Sequence, residues 1–454
     1  MKKAVKLIAI LCMVALLIGV AACGRDTGDE ITPAGNQETA GNEPVVITYM
    51  FWGDETEIEN VTNTLNRFNA EHPHIIVEPW PVDRAEIDVI LTTLAAAGEL
   101  PDTGFLTEQM VIDWARAGFI ASPIITGETP RDLITYRWEG QPVAFSSCIV
   151  MMTLYYNIDK FDAAGVARPP KTAATAWSWD QFVDVAKTLT IDVNGNNAHS
   201  PNFDRNNIEQ YGFYHYHAPW LLEAWVLANN GGFFDPNDWR NITINEPAAA
   251  EAIQRIADLY LVHGVMPRWG SLDGTIDAWF LEHNVAMVVN GSWSIGVWLS
   301  DAANHHGLNY SVGVLPSMAT NVTIATAGLA VQYEGSAHPE AAAEFLAWFA
   351  ATENNWGLIE GGIWMPRYES WFRDEALMRQ WADNDNHPPF DDFRSAIIEH
   401  SLTNAQSAFW YWVPGADPFL FELAAALAPV WSGAQTAQDA LNAARPAFIT
   451  AIGG

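Results

Sequence analysis

Residues 154–190, LYYNIDKFDAAGVARPPKTAATAWSWDQFVDVAKTLT, decide the fold. They are entered through Cys148–Tyr156 (CIVMMTLYY), an uncharged apolar run that reads as a strand covered on both faces. Asn157 ends that strand. A short helix follows over Ile158–Ala164 and stops at Gly165, which takes the left-handed cap conformation that a Cβ disfavours. Pro169 and Pro170 then forbid helix and force an extended passage. Ser178 and Gln181 are spaced as a capping box ahead of a second helix. Phe182, Val185, Ala186 and Leu189 recur at helical spacing, so that helix buries one face.

Outward from this stretch, 454 residues are enough for two or more domains, or one discontinuous pair, with a large core. A hydrophobic share of 49% with 17% charged describes a globular chain. The net charge of −32 sets the surface against nucleic acid and anionic lipid headgroups, and excludes both as direct partners. Lys2, Lys3 and Lys6 precede an apolar run, Leu7–Val20, that is short for a membrane span and reads as a signal peptide. It ends Val20-Ala21-Ala22-Cys23, which resembles a lipobox: residues 1–22 would be cut away and Cys23 would carry the lipid. The polar residues up to Pro44 read as a flexible tether. Of the three cysteines, Cys12 belongs to the leader and Cys23 to the anchor, which leaves Cys148 as a core thiol without a disulfide partner.

Val45–Phe51 (VVITYMF) reads as the first strand, with Trp52-Gly53-Asp54 as the loop at its carboxyl end, where open α/β sheets bind ligands. A helix with Ile58, Val61, Leu65 and Phe68 on one face closes at His72-Pro73. Ile75–Glu78 reads as the next strand, Ile87–Ala97 as a helix capped by Gly98, and Asn245–Gly264 as a long helix begun by Pro247.

Several of these segments together resemble family 1 of the extracellular solute-binding proteins, the sugar receptors of ABC importers. The matching residues are Tyr155-Tyr156-Asn157, Ala164-Gly165, Pro169-Pro170 and Trp179-Asp180-Gln181-Phe182. Phe68-Asn69, Pro101-Asp102, Trp114–Ile120, Asn229-Asn230-Gly231-Gly232 and Ala286-Met287 through Gly291-Ser292-Trp293 extend the likeness, as do Ala327-Gly328-Leu329 and Leu427–Ala447. Tyr310–Pro316 (YSVGVLP) fits the family's crossing strand. The resemblance implies an α/β fold, two-lobed and periplasmic-binding-protein-like (type II), with a hinge of crossing strands. Lobe one would hold 45–145 and 327–369, and lobe two 146–326 and 370–454.

A sugar has apolar C–H faces and a hydroxyl rim, so a receptor stacks aromatics on the faces and fixes the rim with carboxylates, amides and arginine. The chain carries 21 tryptophans. The resemblance places Trp52, Trp220, Trp293, Trp364, Trp410 and Trp412 at the cleft, with Gly328 and the polar candidates Asp54, Glu108, Glu223 and Arg367. Trp279, Trp348 and Trp431 lie within helix patterns and read as packing residues. His215 and His217 alternate as two zinc ligands might be spaced, but no third ligand is placed; Asp192–Asn196 reads as a polar turn and not as a calcium loop. No metal or other cofactor is expected, and no catalytic motif is present. The implied function is capture of a mono- or oligosaccharide outside the cell by a monomeric lipoprotein, held by Cys23 to the outer face of the cytoplasmic membrane, with delivery to ABC importer permease subunits. The alternatives are a receptor for a polyamine, an iron chelate or a polyol phosphate, or a secreted carbohydrate-active enzyme with two catalytic carboxylates about 5–10 Å apart.

Overall fold

Two sheets organise the chain, and both grow from strands that the sequence makes apolar along their whole length. The computed structural model describes residues 43–123, 127–215, 218–268, 280 and 285–453. Residues 1–22, Cys23, His217 and Trp279 lie outside the described residues. Pro44–Gly454 forms one compact unit.

The first sheet begins with β1 (Val45–Phe51), which crosses over through helix α1 (Glu55–Glu71) to β2 (Ile75–Pro81), and through α2 (Ile87–Ala97) to β3 (Thr103–Leu106), with α3 (Val111–Ala117) following it. β2 and β3 both run parallel to β1, on either side of it. β2 continues three residues beyond the expected Glu78, because β1 pairs with it from Val45 to Phe51. Pro79 and Pro81 are tolerated there because a strand at the sheet edge has no further ladder to donate to. Asp102 locks the register of β1 and β3: its carboxylate accepts from Thr48 N (2.9 Å), Thr48 Oγ1 (3.0 Å) and Ser336 Oγ (2.6 Å). Gly104 follows because a Cβ there would lie 2.4 Å from the Met50 carbonyl oxygen.

The second sheet is built on β4 (Val150–Asn157), buried along all but its last residue. α4 (Ile158–Ala164) leaves it with Asn157 as N-cap and Gly165 as left-handed C-cap, φ 66°. α5 (Trp179–Leu189) starts on the expected capping box, with both reciprocal hydrogen bonds formed. Its buried stripe is Trp179, Phe182, Val183, Ala186 and Leu189. The expected Val185 is half-exposed instead, and Val183, on the other flank of the stripe, is buried in its place. Further on, β5 (Tyr214–His215), α6 (Leu222–Ala228), α7 (Pro247–Leu261), β6 (Met287–Gly291), β7 (Tyr310–Gly313) and β8 (Thr323–Thr326) complete this half. β6, β7 and β8 all pair antiparallel with β4. β7 therefore sits inside this sheet and is not the crossing strand expected of Tyr310–Pro316. After β9 (Leu329–Gln332), which joins the first sheet antiparallel to β3, come α8 (Pro339–Phe349), β10 (Ala405–Ser407), α9 (Ala416–Trp431) and α10 (Ala437–Ala451).

The chain passes between the sheets along 146–149 and again along 327–328, and the two passages are bonded side by side. Ser147 N donates to the Gly328 carbonyl (3.1 Å) and Ala330 N to Ser147 Oγ (2.8 Å). The buried Tyr411 hydroxyl lies 2.8 Å from Ser146 Oγ and accepts from Ala327 N (3.1 Å). A third segment joins them, with Ile149 and Met365 exchanging both backbone hydrogen bonds (3.0 and 3.1 Å). Tyr411→Phe strips a fully buried hydroxyl from Ser146 and Ala327, and is expected to cost about 1–3 kcal/mol. Urea unfolding of the variant against the parent checks it, and an unchanged midpoint would show that the network carries no net stability.

Candidate functional site

The carboxyl ends of β1, β2 and β3 open on one cavity of about 520 Å³. Each strand supplies its lining from the loop that follows it. β1 hands over Trp52 and, after the Asp54 turn, Glu57 in the first turn of α1. The loop after β2 carries Arg84, and β3 leads into Glu108 and Gln109. Phe105 backs this wall, its ring 4.9 Å from Trp52 and edge-on to it. The second sheet's side contributes Trp220 and Trp293, with Trp410 beside them and Asp417 and Leu420 from the start of α9. Trp364, Ile363, Thr326, Gly328, Val150 and Cys148 line the cavity between the two walls, on or beside the passages.

The aromatic wall is geometrically defined. Trp220 and Trp293 have ring centroids 6.2 Å apart at 41°, and Trp410 stands edge-on to Trp220 at 5.8 Å and 81°. Trp293 folds back across Gly291, where a Cβ would lie 1.9 Å from the indole ring, so glycine is what lets the ring take this position. Trp410 is buried and its Nε1 has no hydrogen-bond partner among the described residues.

On the opposite wall the electrostatics are governed by burial. Glu57 lies at a helix N-terminus, which favours the anion. Desolvation nevertheless lifts its carboxyl to about 8, with the negative charge of Asp54 adding to the rise and a hydrogen bond from Trp364 opposing it. Glu108 is likewise raised by burial against the pull of Arg84; on the second sheet's side Asp417, an exposed residue, is raised by partial desolvation and by Asp88, again against the pull of Arg84. Arg84 is the one cation among the lining residues. It is already engaged, with its guanidinium 4.8 Å from the Trp52 ring and 3.6 Å from Asp88 Oδ2.

Of the residues singled out in the sequence, the cavity brings together Trp52, Glu108, Trp220, Trp293, Gly328, Trp364 and Trp410. Four lie elsewhere. Asp54 is the N-cap of α1, accepting from Glu57 N at 2.8 Å. Glu223 is buried on α6, where its carboxylate accepts from Phe409 N (3.0 and 3.2 Å) and borders, with Trp412, a separate groove of about 970 Å³. Arg367 is buried beside a small cavity of about 60 Å³ next to Ser147 and Phe145. Sequence reasoning missed Glu57, Arg84, Gln109 and Asp417. The first two were findable, since the rule that pointed to Trp52 applies equally to the helix following β1 and the loop following β2.

Metal chemistry finds no foothold among the described residues, where no group of three or more His, Cys, Asp or Glu could hold an ion. His215 Nε2 accepts from Trp225 Nε1 at 2.9 Å. The Asp192 carboxylate is saturated by the backbone N–H groups of Asn194, Asn196 and Asp204, and these bonds outweigh burial to hold it down at about 2. No helix of the described residues is long and apolar enough to cross a membrane.

Residues 63–384 match the profile of a family described as bacterial extracellular solute-binding protein. A putative binding protein of Brucella abortus is 27% identical over 181 residues, a match that takes in 36% of this chain and 39% of that protein. Among solved structures, an ABC substrate-binding protein of Listeria monocytogenes in complex with cycloalternan aligns with a TM-score of 0.73 at 19% identity, covering 90% of this chain and 99% of that one. The GacH receptor of Streptomyces glaucescens, solved unliganded and with acarbose, gives 0.71 at 19%, covering 90% and 99%. A solute-binding protein of Thermotoga lettingae bound with α-D-tagatose gives 0.70 at 18%, covering 90% and 100%. These likenesses show the periplasmic-binding-protein fold.

The position of Glu223 has a consequence for stability. Burial raises its carboxyl from 4.5 to about 8, against the Phe409 hydrogen bond, so the folded state holds a proton that the unfolded chain has released. Stability is therefore expected to fall as pH rises from about 4.5 to about 8 through this group. Glu223→Gln, which keeps the acceptor and removes the charge, should raise the melting temperature at pH 8 and leave it nearly unchanged at pH 5. Equal effects at both values would show that Glu223 does not titrate in that window.

Proposed function

The chain belongs to the bacterial extracellular solute-binding proteins, a family of binders and not of enzymes, and from that premise we propose that it captures a carbohydrate in the cleft between its two sheets and delivers it to an ABC importer. The observation that carries this reading is the pairing of walls: indole faces at Trp220 and Trp293 across from hydrogen-bonding groups at Glu57, Glu108 and Gln109. Flat apolar rings suit the C–H faces of a sugar, and carboxylates and amides suit its hydroxyl rim. A cavity of about 520 Å³ falls in the range of roughly 300–1,000 Å³ found for small-molecule sites. The structural neighbours bound to cycloalternan and α-D-tagatose support a saccharide over other solutes.

In this reading the lobes, 45–145 with 327–369 and 146–326 with 370–454, close on the solute about the bonded passages, as hinged binding proteins do. Trp52, Trp220, Trp293 and Trp364 supply stacking surface, and Glu57, Glu108, Gln109 and Arg84 the polar contacts. Cleavage before Cys23 and lipidation of that residue would tether a monomeric receptor to the outer face of the membrane, within reach of the permease.

The test is a thermal-shift and calorimetric screen against mono- and oligosaccharides, since a solute that binds only the folded chain raises its melting temperature. Binding to one sugar series, weakened about tenfold or more by Trp293→Ala, is the expected result. Gly291→Ala, which drives a Cβ into the Trp293 ring, should weaken the same sugar while the indole itself is retained. A shift with a polyamine or an iron chelate, and none with any sugar, would remove the carbohydrate assignment and leave the family intact.

A further inference from the structure

The acidic wall of the cleft lacks its counter-charges. Glu57 and Glu108 line the first sheet's side of the cavity, and the exposed Asp417 the second sheet's side, against one guanidinium. That group, on Arg84, lies over the Trp52 ring, 3.6 Å from Asp88 outside the lining, and draws on Glu108 and Asp417. The remaining polar lining is Gln109, Thr326, the Cys148 thiol and the indole N–H of Trp364, which is bonded to Glu57; none of these carries positive charge. Glu57 and Glu108 are half-buried, and carboxylates drawn partly out of water are ordinarily paired, because desolvation disfavours the unpaired charge. The other wall is also electron-rich: the faces of Trp220 and Trp293 carry the negative end of the ring quadrupole, which attracts cations.

Resting on the carbohydrate reading, we propose that the solute is a saccharide carrying a protonated amine, with its ring against Trp220 and Trp293 and its ammonium on the side of the cleft formed by Glu57 and Glu108. A neutral sugar would satisfy the aromatic wall equally well but would draw no charge from the acidic wall, where Glu57 keeps its proton until a cation arrives. An ammonium group supplies three donors and the missing charge to groups that can only accept once ionised. The raised carboxyl of Glu57 is what such a site shows when empty: burial disfavours the anion until a cation arrives to pair with it. Asp54, just outside, adds negative potential and no competing donor, since its own carboxylate is held by Glu57 N.

Matched pairs of saccharides that differ in one group separate this inference from the reading beneath it. Glucose and glucosamine, galactose and galactosamine, and cellobiose and fully deacetylated chitobiose would be titrated calorimetrically into the protein at neutral pH, with the N-acetyl forms as uncharged nitrogen controls. The amino member of at least one pair should bind about tenfold or more tightly than its neutral and N-acetyl counterparts. In Glu57→Gln and in Glu108→Gln, both close in shape to the parent residue, that ratio should fall towards unity, with folding checked by the melting temperature. Neutral members binding as tightly as amino ones would overturn the inference and leave carbohydrate capture standing. A preference for the amine that survives both substitutions would also overturn it, since the charge would then be read elsewhere. If spermidine binds and no saccharide does, or if no member of the panel binds, both readings fall together.

Discussion

The hydroxyl of Tyr411 is the point on which the two halves of the molecule depend. It bonds both passages of the chain between the sheets, at Ser146 and at Ala327, in a place that water does not reach. With the passages fixed side by side, Ser147 and Gly328 also pair, and Gly328 comes to lie against the edge of the Trp52 ring, where a Cβ would still find ordinary contact at 3.5 Å. The position of the first cleft tryptophan and the junction between the sheets are thus consequences of the same few hydrogen bonds. Movement of one sheet against the other has to be absorbed in these short segments, because β4 and β1 are each committed to neighbours along their length.

The cleft itself sets two physical effects against each other. Parallel strands and the helices that follow them present backbone N–H groups and a positive dipole end, which stabilise anions at Glu57. The indoles that close the cleft remove the water on which such anions otherwise rely. Burial wins at Glu57, whose carboxyl stands at about 8 despite its place in the first turn of α1. At Asp192 the balance is reversed. That carboxylate is also enclosed, but three backbone N–H groups point at it and it stays low. The difference is whether the chain supplies the donors itself or leaves them to be brought in.

This contrast also explains what could be read from the sequence. Local chemistry was legible: the capping box at Ser178, the left-handed caps at Gly98 and Gly165, and the strand at Val45–Phe51 follow from residue type and spacing, and the structure contains each of them. β7 was misjudged because an apolar strand looks the same whether it lies inside a sheet or crosses between two. The tryptophans of the cleft were placed through resemblance, and seven of the eleven residues so chosen line one cavity. Glu223 and Arg367 lie outside that cavity, because residue type does not tell a carboxylate that accepts from Phe409 N, or a guanidinium beside a passage, from one at the cleft. Asp417 had no local signal at all, since it comes to the cleft only through the packing of α9.

Charge on the whole molecule acts differently from charge in the cleft. With 54 acidic residues against 22 Lys and Arg, the chain is surrounded by a negative potential that draws cations inward over about a Debye length. Much of its positive charge is spent on near neighbours in the same helix, as in Arg255–Glu251 at 2.6 Å and Arg379–Glu375 at 2.9 Å, exposed pairs worth well under 1 kcal/mol each. Such pairs do little to cancel the far field. That field governs how often a charged solute arrives, and salt weakens it; a neutral sugar feels none of it. Glu57 and Glu108 act after arrival, at short range and half-buried, where added salt screens less than it does at the surface. The outer field and the inner pair favour the same sign of charge, although the outer one is a sum over the entire chain and the inner one depends on two side chains at the ends of adjacent strands.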